Sequence, residues 1–324
     1  MSYYREPGEA SSMELVKGLG YVALTVPEID RSLDFYRRVA HLKVSERGAK
    51  KAFLTGGINH HWLRLEETGE PGLSRFGFEV TGRAALDEIA NRLDARGIVW
   101  KPASDLAGDR VSDAIRFTDP DGFQIELFTD MVSLPVRMDT FLKMDRVLHS
   151  VWLASDPVES GRFYREVLGF KESDWIERAM VFMRAGNGYH HSVGIGRDNA
   201  RLGRMDHFCI LVDDLDDVMR ARNVALRSGA KLRQDVVRHA ASGSMSTYII
   251  DPVNDICVEF CTNHRQIHDE NYRARILPAQ ASTLDLWKHL PDYFAEQGEQ
   301  PAGREEQARP AEDGETNWNR LNDG

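Results

Sequence analysis

The chain carries one pattern twice. Leu19-Gly20-Tyr21-Val22-Ala23-Leu24 aligns with Leu148-His149-Ser150-Val151-Trp152-Leu153, and Asp34-Phe35-Tyr36-Arg37-Arg38-Val39 with Arg162-Phe163-Tyr164-Arg165-Glu166-Val167. The register continues: Leu73-Ser74-Arg75-Phe76 matches Met205-Asp206-His207-Phe208, and the run FQIELF from Phe123 matches ICVEFC from Ile256. The offsets stay close, 149−20=129, 207−75=132 and 259−126=133, so only small insertions separate the copies. A duplicated pattern on this scale implies two related structural units.

Each copy divides again. After Gly20, Arg75, His149 and His207 the same order recurs of a short apolar strand, a helical stretch and further strand-like sequence. Leu86–Leu93 has helical spacing before Gly97, and Val218–Leu226 before Gly229. In the third module Ser155 or Asp156 is placed to cap a helix that has Pro157 in its first turn and runs to Gly169. Asp119-Pro120-Asp121-Gly122 and Asp251-Pro252-Val253-Asn254-Asp255 read as turns between paired strands. Four modules follow from this reading.

His149, His207 and Glu259 occupy equivalent strand runs, VLHSVWL, DHFCILV and ICVEFC, in the second copy. Two neutral imidazoles and a carboxylate make the facial triad that holds non-haem Fe(II) and leaves neighbouring coordination positions open. The first copy has Gly20, Arg75 and Glu126 at these places. Glycine offers no ligand and arginine is a permanent cation, so the second copy alone is expected to bind metal. On the last strand, period-2 alternation puts Cys257, Glu259 and Cys261 on one side and Val258 and Phe260 on the other. The cysteines are expected to act as small buried hydrophobes.

With its FYRRV and FYREVLGF helices and a D-P hairpin before a strand glutamate in each half, the chain resembles the type I extradiol ring-cleavage dioxygenases (catechol 2,3-dioxygenase-like) of the vicinal oxygen chelate superfamily. The resemblance covers roughly residues 15 to 290. It implies an α+β fold of four βαβββ modules paired into two barrel-like domains. The corresponding division is an N-terminal extension at 1–14, a metal-free domain at 15–134, a catalytic metal-binding domain at 143–290 and a flexible tail at 291–324. It further implies Fe(II), with Mn(II) as the alternative, a catechol-type aromatic diol and O2 as substrates, a hydroxymuconate-type product and a homo-oligomer.

The family's further active-site residues carry over by spacing. His191 lies sixteen residues before His207, and His239 is followed nine residues later by Tyr248. His191 is thereby expected to be the acid–base residue, and His239 and Tyr248 to hydrogen-bond coordinated substrate or oxygen. His190 is expected to face away from the cavity, as an adjacent strand residue would, and to matter little. Two departures stand out: Tyr248 to Glu259 is one residue longer than the family pattern, and Ser242 stands where an aspartate or asparagine is more familiar. His60-His61 mirrors His190-His191 without a metal triad and is read as structural. Trp175, Met180, Phe182 and Met183 could line an apolar pocket or fill the core, and Trp287 is a candidate for capping the pocket.

Two other classes compete with this reading: a superfamily isomerase or group-transfer enzyme using the triad as a Lewis acid, and a metal-free small-molecule binder. The His191, His239 and Tyr248 set argues against the first, and the intact triad against the second. A 42% hydrophobic content over 324 residues suffices for two cores, and no apolar run approaches the ~20 residues of a membrane span. A net charge of −10 disfavours nucleic acid as a partner. The opening MSYYREPGEASS lacks the pattern of a secretory signal, and three cysteines suit a reducing cytoplasm, which is the expected location.

Overall fold

The computed structural model describes residues 14–288, so the expected tail and all but Glu14 of the expected N-terminal extension lie outside the described residues. In the first half, β1 (Val16–Val26) leads into α1 (Ile29–Arg38), then β2 (Lys43–Arg47), β3 (Lys51–Thr55) and β4 (Leu63–Glu67). The order repeats as β5 (Gly72–Val80), α2 (Arg83–Asp94), β6 (Trp100–Pro102), a short α3 (Leu106–Asp109), β7 (Asp113–Thr118) and β8 (Gln124–Thr129). These eight strands form one sheet in the order β2-β3-β4-β1-β5-β8-β7-β6, symmetric about the central antiparallel pair β1 and β5.

The second half follows the same plan. β9 (Met144–Ala154), α4 (Pro157–Glu166), β10 (Lys171–Ile176), β11 (Met180–Arg184) and β12 (Val193–Arg197) make one module. β13 (Met205–Val212), α5 (Leu215–Arg227), β14 (Leu232–Arg238), β15 (Met245–Asp251) and β16 (Ile256–Thr262) make the next. A last strand, β17 (Arg275–Leu277), and the single turn α6 (Ala281–Leu284) follow. β17 adds itself to the edge of the nine-stranded sheet β14-β15-β16-β13-β9-β12-β11-β10-β17. This is the expected α+β architecture of four βαβββ modules in two domains.

Local chemistry accounts for the elements. In α1 the buried residues Ile29, Ser32, Leu33 and Tyr36 fall at i, i+3, i+4 and i+7, one face of a helix. The Asp156 side chain accepts from the Val158 amide at 3.0 Å, capping α4 with Pro157 in its first turn. That helix stops at Glu166, three residues before the expected Gly169, whose φ of +77° belongs to the chain reversal that follows. In the first D-P turn Asp119 Oδ1 accepts from the amides of Asp121 and Phe123, at 3.0 and 2.8 Å.

The halves share one continuous apolar cluster. Trp152, fully buried, stacks on Phe76 of the first half with ring centroids 4.9 Å apart. The D-P turns and the FY helices also cross over: the Tyr164 hydroxyl of α4 donates to Asp119 at 2.8 Å, and Asn254 Nδ2 donates to Ser32 of α1 at 3.2 Å. Among the described residues no helix is long and apolar enough to cross a membrane.

Candidate metal centre

β13 runs between β9 and β16, and its register pairs Cys209 with His149 on one side and with Glu259 on the other. Neighbouring strands thus bring His149, His207 and Glu259 to one point from positions far apart in the chain. Glu259 Oε2 is 2.8 Å from His149 Nε2 and 3.0 Å from His207 Nε2, and the two nitrogens are 3.4 Å apart. All three side chains are buried.

Proton placement is set from behind. His207 Nδ1 lies 2.6 Å from Asp206 Oδ2, whose carboxylate is held well below its ordinary pKa, against burial, by Arg233 at 2.8 Å and by His207 itself. An ionised carboxylate only accepts, so His207 donates from Nδ1 and, when neutral, presents a bare Nε2 to Glu259. Burial by itself would raise the Glu259 pKa, yet the two imidazoles hold it well below the usual range, so the carboxylate is charged. Two Nε2 atoms and a carboxylate oxygen this close are satisfied either by protons on the imidazoles or by a metal cation in their place. Two nitrogens and one oxygen are a donor set for a divalent metal, and these residues fit one.

The equivalent place in the first half is filled differently. A Cβ at Gly20 would run into the Phe128 ring, so a histidine has no room there. The Arg75 guanidinium takes the cation's part, donating to Asp109 and Tyr21, each at 2.7 Å, and standing 3.4 Å from Glu126. Tyr21 and Arg116 donate to the two Glu126 oxygens, each at 2.5 Å.

A cavity of about 120 Å³ opens beside the triad, and its lining includes all six expected site residues: His149, His191, His207, His239, Tyr248 and Glu259. Val151, Leu153, Met180, Phe182 and Leu284 form an apolar wall. Strand alternation in β11 puts Met180 and Phe182 on the cavity and Met183 in the core, and Trp175 of β10 packs on that core. Trp287 does not cap the pocket; it is half exposed and outside the lining, and Leu284 is the residue of that segment that reaches in.

His191 precedes β12 instead of lying within a strand, so simple alternation does not govern it or His190. The two rings meet edge to face with Nδ1 atoms 3.0 Å apart, and His190 Nε2 lies 2.7 Å from Asp174. Asp174 is ionised, held well below its ordinary pKa, against burial, by bonds from His190 and Arg275. Burial pushes the His190 pKa down to about 4, so the ring is neutral near pH 7. His190 therefore donates from Nε2 to Asp174 and accepts at Nδ1 from His191 Nδ1–H, which leaves His191 Nε2 bare. His190 faces away from the cavity, as expected, and is absent from its lining, yet its ring is hydrogen-bonded to that of His191, which lines it. The first half keeps the same device, with His60 and His61 Nδ1 atoms 3.2 Å apart and Glu46 at 3.2 Å from His60 Nε2.

His239 Nε2 is 2.8 Å from the Tyr248 hydroxyl, and its Nδ1 is 2.7 Å from the Leu284 carbonyl oxygen. Burial raises the Tyr248 pKa well above its ordinary value, so the phenol keeps its proton. Ser242 is turned to Ser244, 2.8 Å between hydroxyls, and Ser244 is the one that lines the cavity. The three free cysteines are buried, and burial raises their pKa values, that of Cys257 to about 12, so without a metal they stand as neutral thiols packed among apolar side chains.

Several residues of this site escaped sequence reasoning: Asp174, Asp206, Arg233, Leu284 and the buried His264, whose ring lies 5.4 Å from that of His149. Asp206, adjacent to His207 in sequence, carried the one local signal available.

Against known families, residues 18–127 and 146–260 match the model of the Glyoxalase/Bleomycin resistance protein/Dioxygenase superfamily. The chain belongs to that superfamily. Among its members, an iron-dependent extradiol dioxygenase of Rhodococcus jostii is 29% identical over 238 residues, 67% of this chain and 77% of that protein. A manganese-dependent 2,3-dihydroxybiphenyl 1,2-dioxygenase of Geobacillus genomosp. 3 is 23% identical over 277 residues, covering 78% and 87%. The solved Mn(II)-bound glyoxalase from Novosphingobium aromaticivorans superposes with a TM-score of 0.77 at 24% identity, over 84% of this chain and 91% of that one. That likeness establishes the fold of this superfamily member, and both family segments end before β17.

Proposed function

We propose that this superfamily member is an extradiol dioxygenase that uses Fe(II), with Mn(II) as the alternative, and O2 to cleave a catechol-type diol to a hydroxymuconate-type product. The observation that carries the reading is the convergence of a buried two-histidine, one-carboxylate set with His191, His239 and Tyr248 on one cavity. Relatives named an iron-dependent extradiol dioxygenase and a manganese-dependent 2,3-dihydroxybiphenyl 1,2-dioxygenase support it.

His149, His207 and Glu259 would hold the metal. When bound, the metal supplies Lewis acidity toward the diol and redox exchange with O2. The chain supplies the rest. His191, with its bare Nε2, takes a proton from a substrate hydroxyl and later returns it, work suited to an imidazole. At the open side of the site the Tyr248 hydroxyl, which donates to His239 Nε2, can turn its proton to an oxygen that gathers charge, with His239 Nε2 held beside it as the alternative acceptor. Val151, Leu153, Met180, Phe182 and Leu284 exclude water and seat the apolar ring.

The test is anaerobic metal loading followed by catechols in air. A single Fe(II) per chain, a yellow product and O2 uptake matched to substrate consumed are expected. His149→Ala and Glu259→Ala should lose the metal, and Glu126→Gln should keep it. Full metal loading without O2 uptake on a panel of monocyclic and bicyclic catechols would overturn the assignment and favour Lewis-acid chemistry.

A further inference from the structure

After the last strand matched by the superfamily model, the chain adds β17 to the sheet edge beside β10 and continues through α6 and the turn that follows, where Leu284 reaches the cavity. This strap makes four consecutive attachments to one loop. The Arg238 amide donates to Asp285 Oδ1 at 3.2 Å, His239 Nδ1 donates to the Leu284 carbonyl at 2.7 Å, and the Ala240 amide donates to the Thr283 carbonyl at 3.2 Å. The Ala241 carbonyl accepts from Arg275 at 2.9 Å. Each residue from 238 to 241 is thus held by the strap, three through backbone groups and His239 through its ring.

A carbonyl oxygen has no proton to give, so the Leu284 contact forces His239 to carry its hydrogen on Nδ1. The neutral ring then has a lone pair at Nε2, and the Tyr248 hydroxyl 2.8 Å away donates to it. A free imidazole prefers the opposite tautomer, with hydrogen on Nε2. In that form His239 would compete with Tyr248 as a donor instead of accepting from it. Leu284 also lines the cavity with its side chain, so the residue that fixes the His239 proton also touches the space in which substrate would sit.

We propose that the strap of residues 275–288 is a positioning element for the reaction, in which the Leu284 backbone carbonyl, anchored by Asp285 and Thr283, fixes the tautomer and orientation of His239. Its catalytic part rests on the dioxygenase reading. Its structural part does not, because the tautomer is readable without substrate. Thr283 Oγ1 donates to the Pro278 carbonyl at 2.7 Å and Asp285 Oδ1 also accepts from the Trp287 amide at 3.1 Å, so both anchors shape the strap itself.

The experiment is ¹⁵N NMR of full-length protein labelled at histidine nitrogens, with His239 assigned through His239→Asn, recorded without metal and with diamagnetic Zn(II) added. Wild-type His239 should show a protonated Nδ1 and a bare Nε2. Asp285→Ala should move both resonances toward the average of a ring exchanging between tautomers, and Thr283→Ala should do so if the first variant folds poorly. Metal content should be unchanged, and kcat of the iron-loaded enzyme should fall by about tenfold, the scale of one hydrogen bond. In a His239→Asn background the strap substitution should add no further loss, whereas simple destabilisation would add one. A wild-type ring protonated at Nε2, or unchanged resonances in both folded strap variants, would overturn the proposal. Absence of ring cleavage with the tautomer results intact would instead overturn the dioxygenase reading.

Discussion

At His191 the deciding fact is which nitrogen is bare. Asp174 and His190 together place hydrogen on His191 Nδ1, through contacts of 2.7 and 3.0 Å, and so aim an acceptor at the cavity. Removing the base itself, as in His191→Phe, should cost about 10²–10⁴ in turnover per bound iron. Asp174→Asn should lose a smaller factor with iron retained, since an amide in place of the carboxylate no longer dictates which His190 nitrogen donates. His190→Ala should fall with Asp174→Asn and not with wild type. Equal turnover in wild type and His190→Ala, normalised to iron, would show that the ring behind the wall has no part. At Tyr248, replacement by Phe should leave iron content untouched and lower kcat, because a hydrogen bond realised in the transition state affects rate without building the site.

At the level of elements, the same set of central strands has two fates. In the second sheet the strands at its centre present imidazoles and a carboxylate, and in the first they present an ion cluster in which Arg75 replaces the metal. Buried charges that pair with one another are costly to break apart. Arg75→Met leaves Asp109 and Glu126 short of a partner, and a loss of about 3–5 kcal/mol in unfolding free energy is expected. Metal content should not change. A chemical denaturation series alongside metal analysis checks both, and intact stability would mean that Arg116 and Arg64 alone satisfy the two acids, from 2.5 to 3.2 Å away.

Over the whole molecule, the two halves are joined by an apolar seam and by crossed polar contacts between each D-P turn and the helix of the other half. Trp152 fills that seam against Phe76 and Phe123. Trp152→Ala should cost about 3–5 kcal/mol, the range for a large buried aromatic. Asp119 lies at the same junction under the Tyr164 hydroxyl, and burial pushes its pKa from 3.8 up to about 7. A carboxyl that holds its proton more tightly folded than unfolded stabilises the fold at low pH. That contribution is lost as pH rises from about 4 through 7. Asp119→Asn, which keeps an acceptor oxygen for the turn amides, should therefore gain in Tm relative to wild type between pH 5 and pH 8. A Tm difference that stays flat over that range would contradict the assignment.

The sequence by itself determined the duplication, the four modules and the triad, because these depend on short-range patterns: strand period, helix spacing, turn chemistry, and ligand types at equivalent places in two copies. His191, His239 and Tyr248 were legible through their spacing within a family pattern. What only the tertiary structure decided was everything that depends on a neighbour distant in sequence. The carboxylate that orients His191 comes from β10, the carbonyl that meets His239 comes from a strap 45 residues onward, and the cation that stands in for metal in the first half bonds to acids on other elements. Hydrogen bonds act over about 3 Å, and no local pattern of residues records which distant backbone will arrive within that distance.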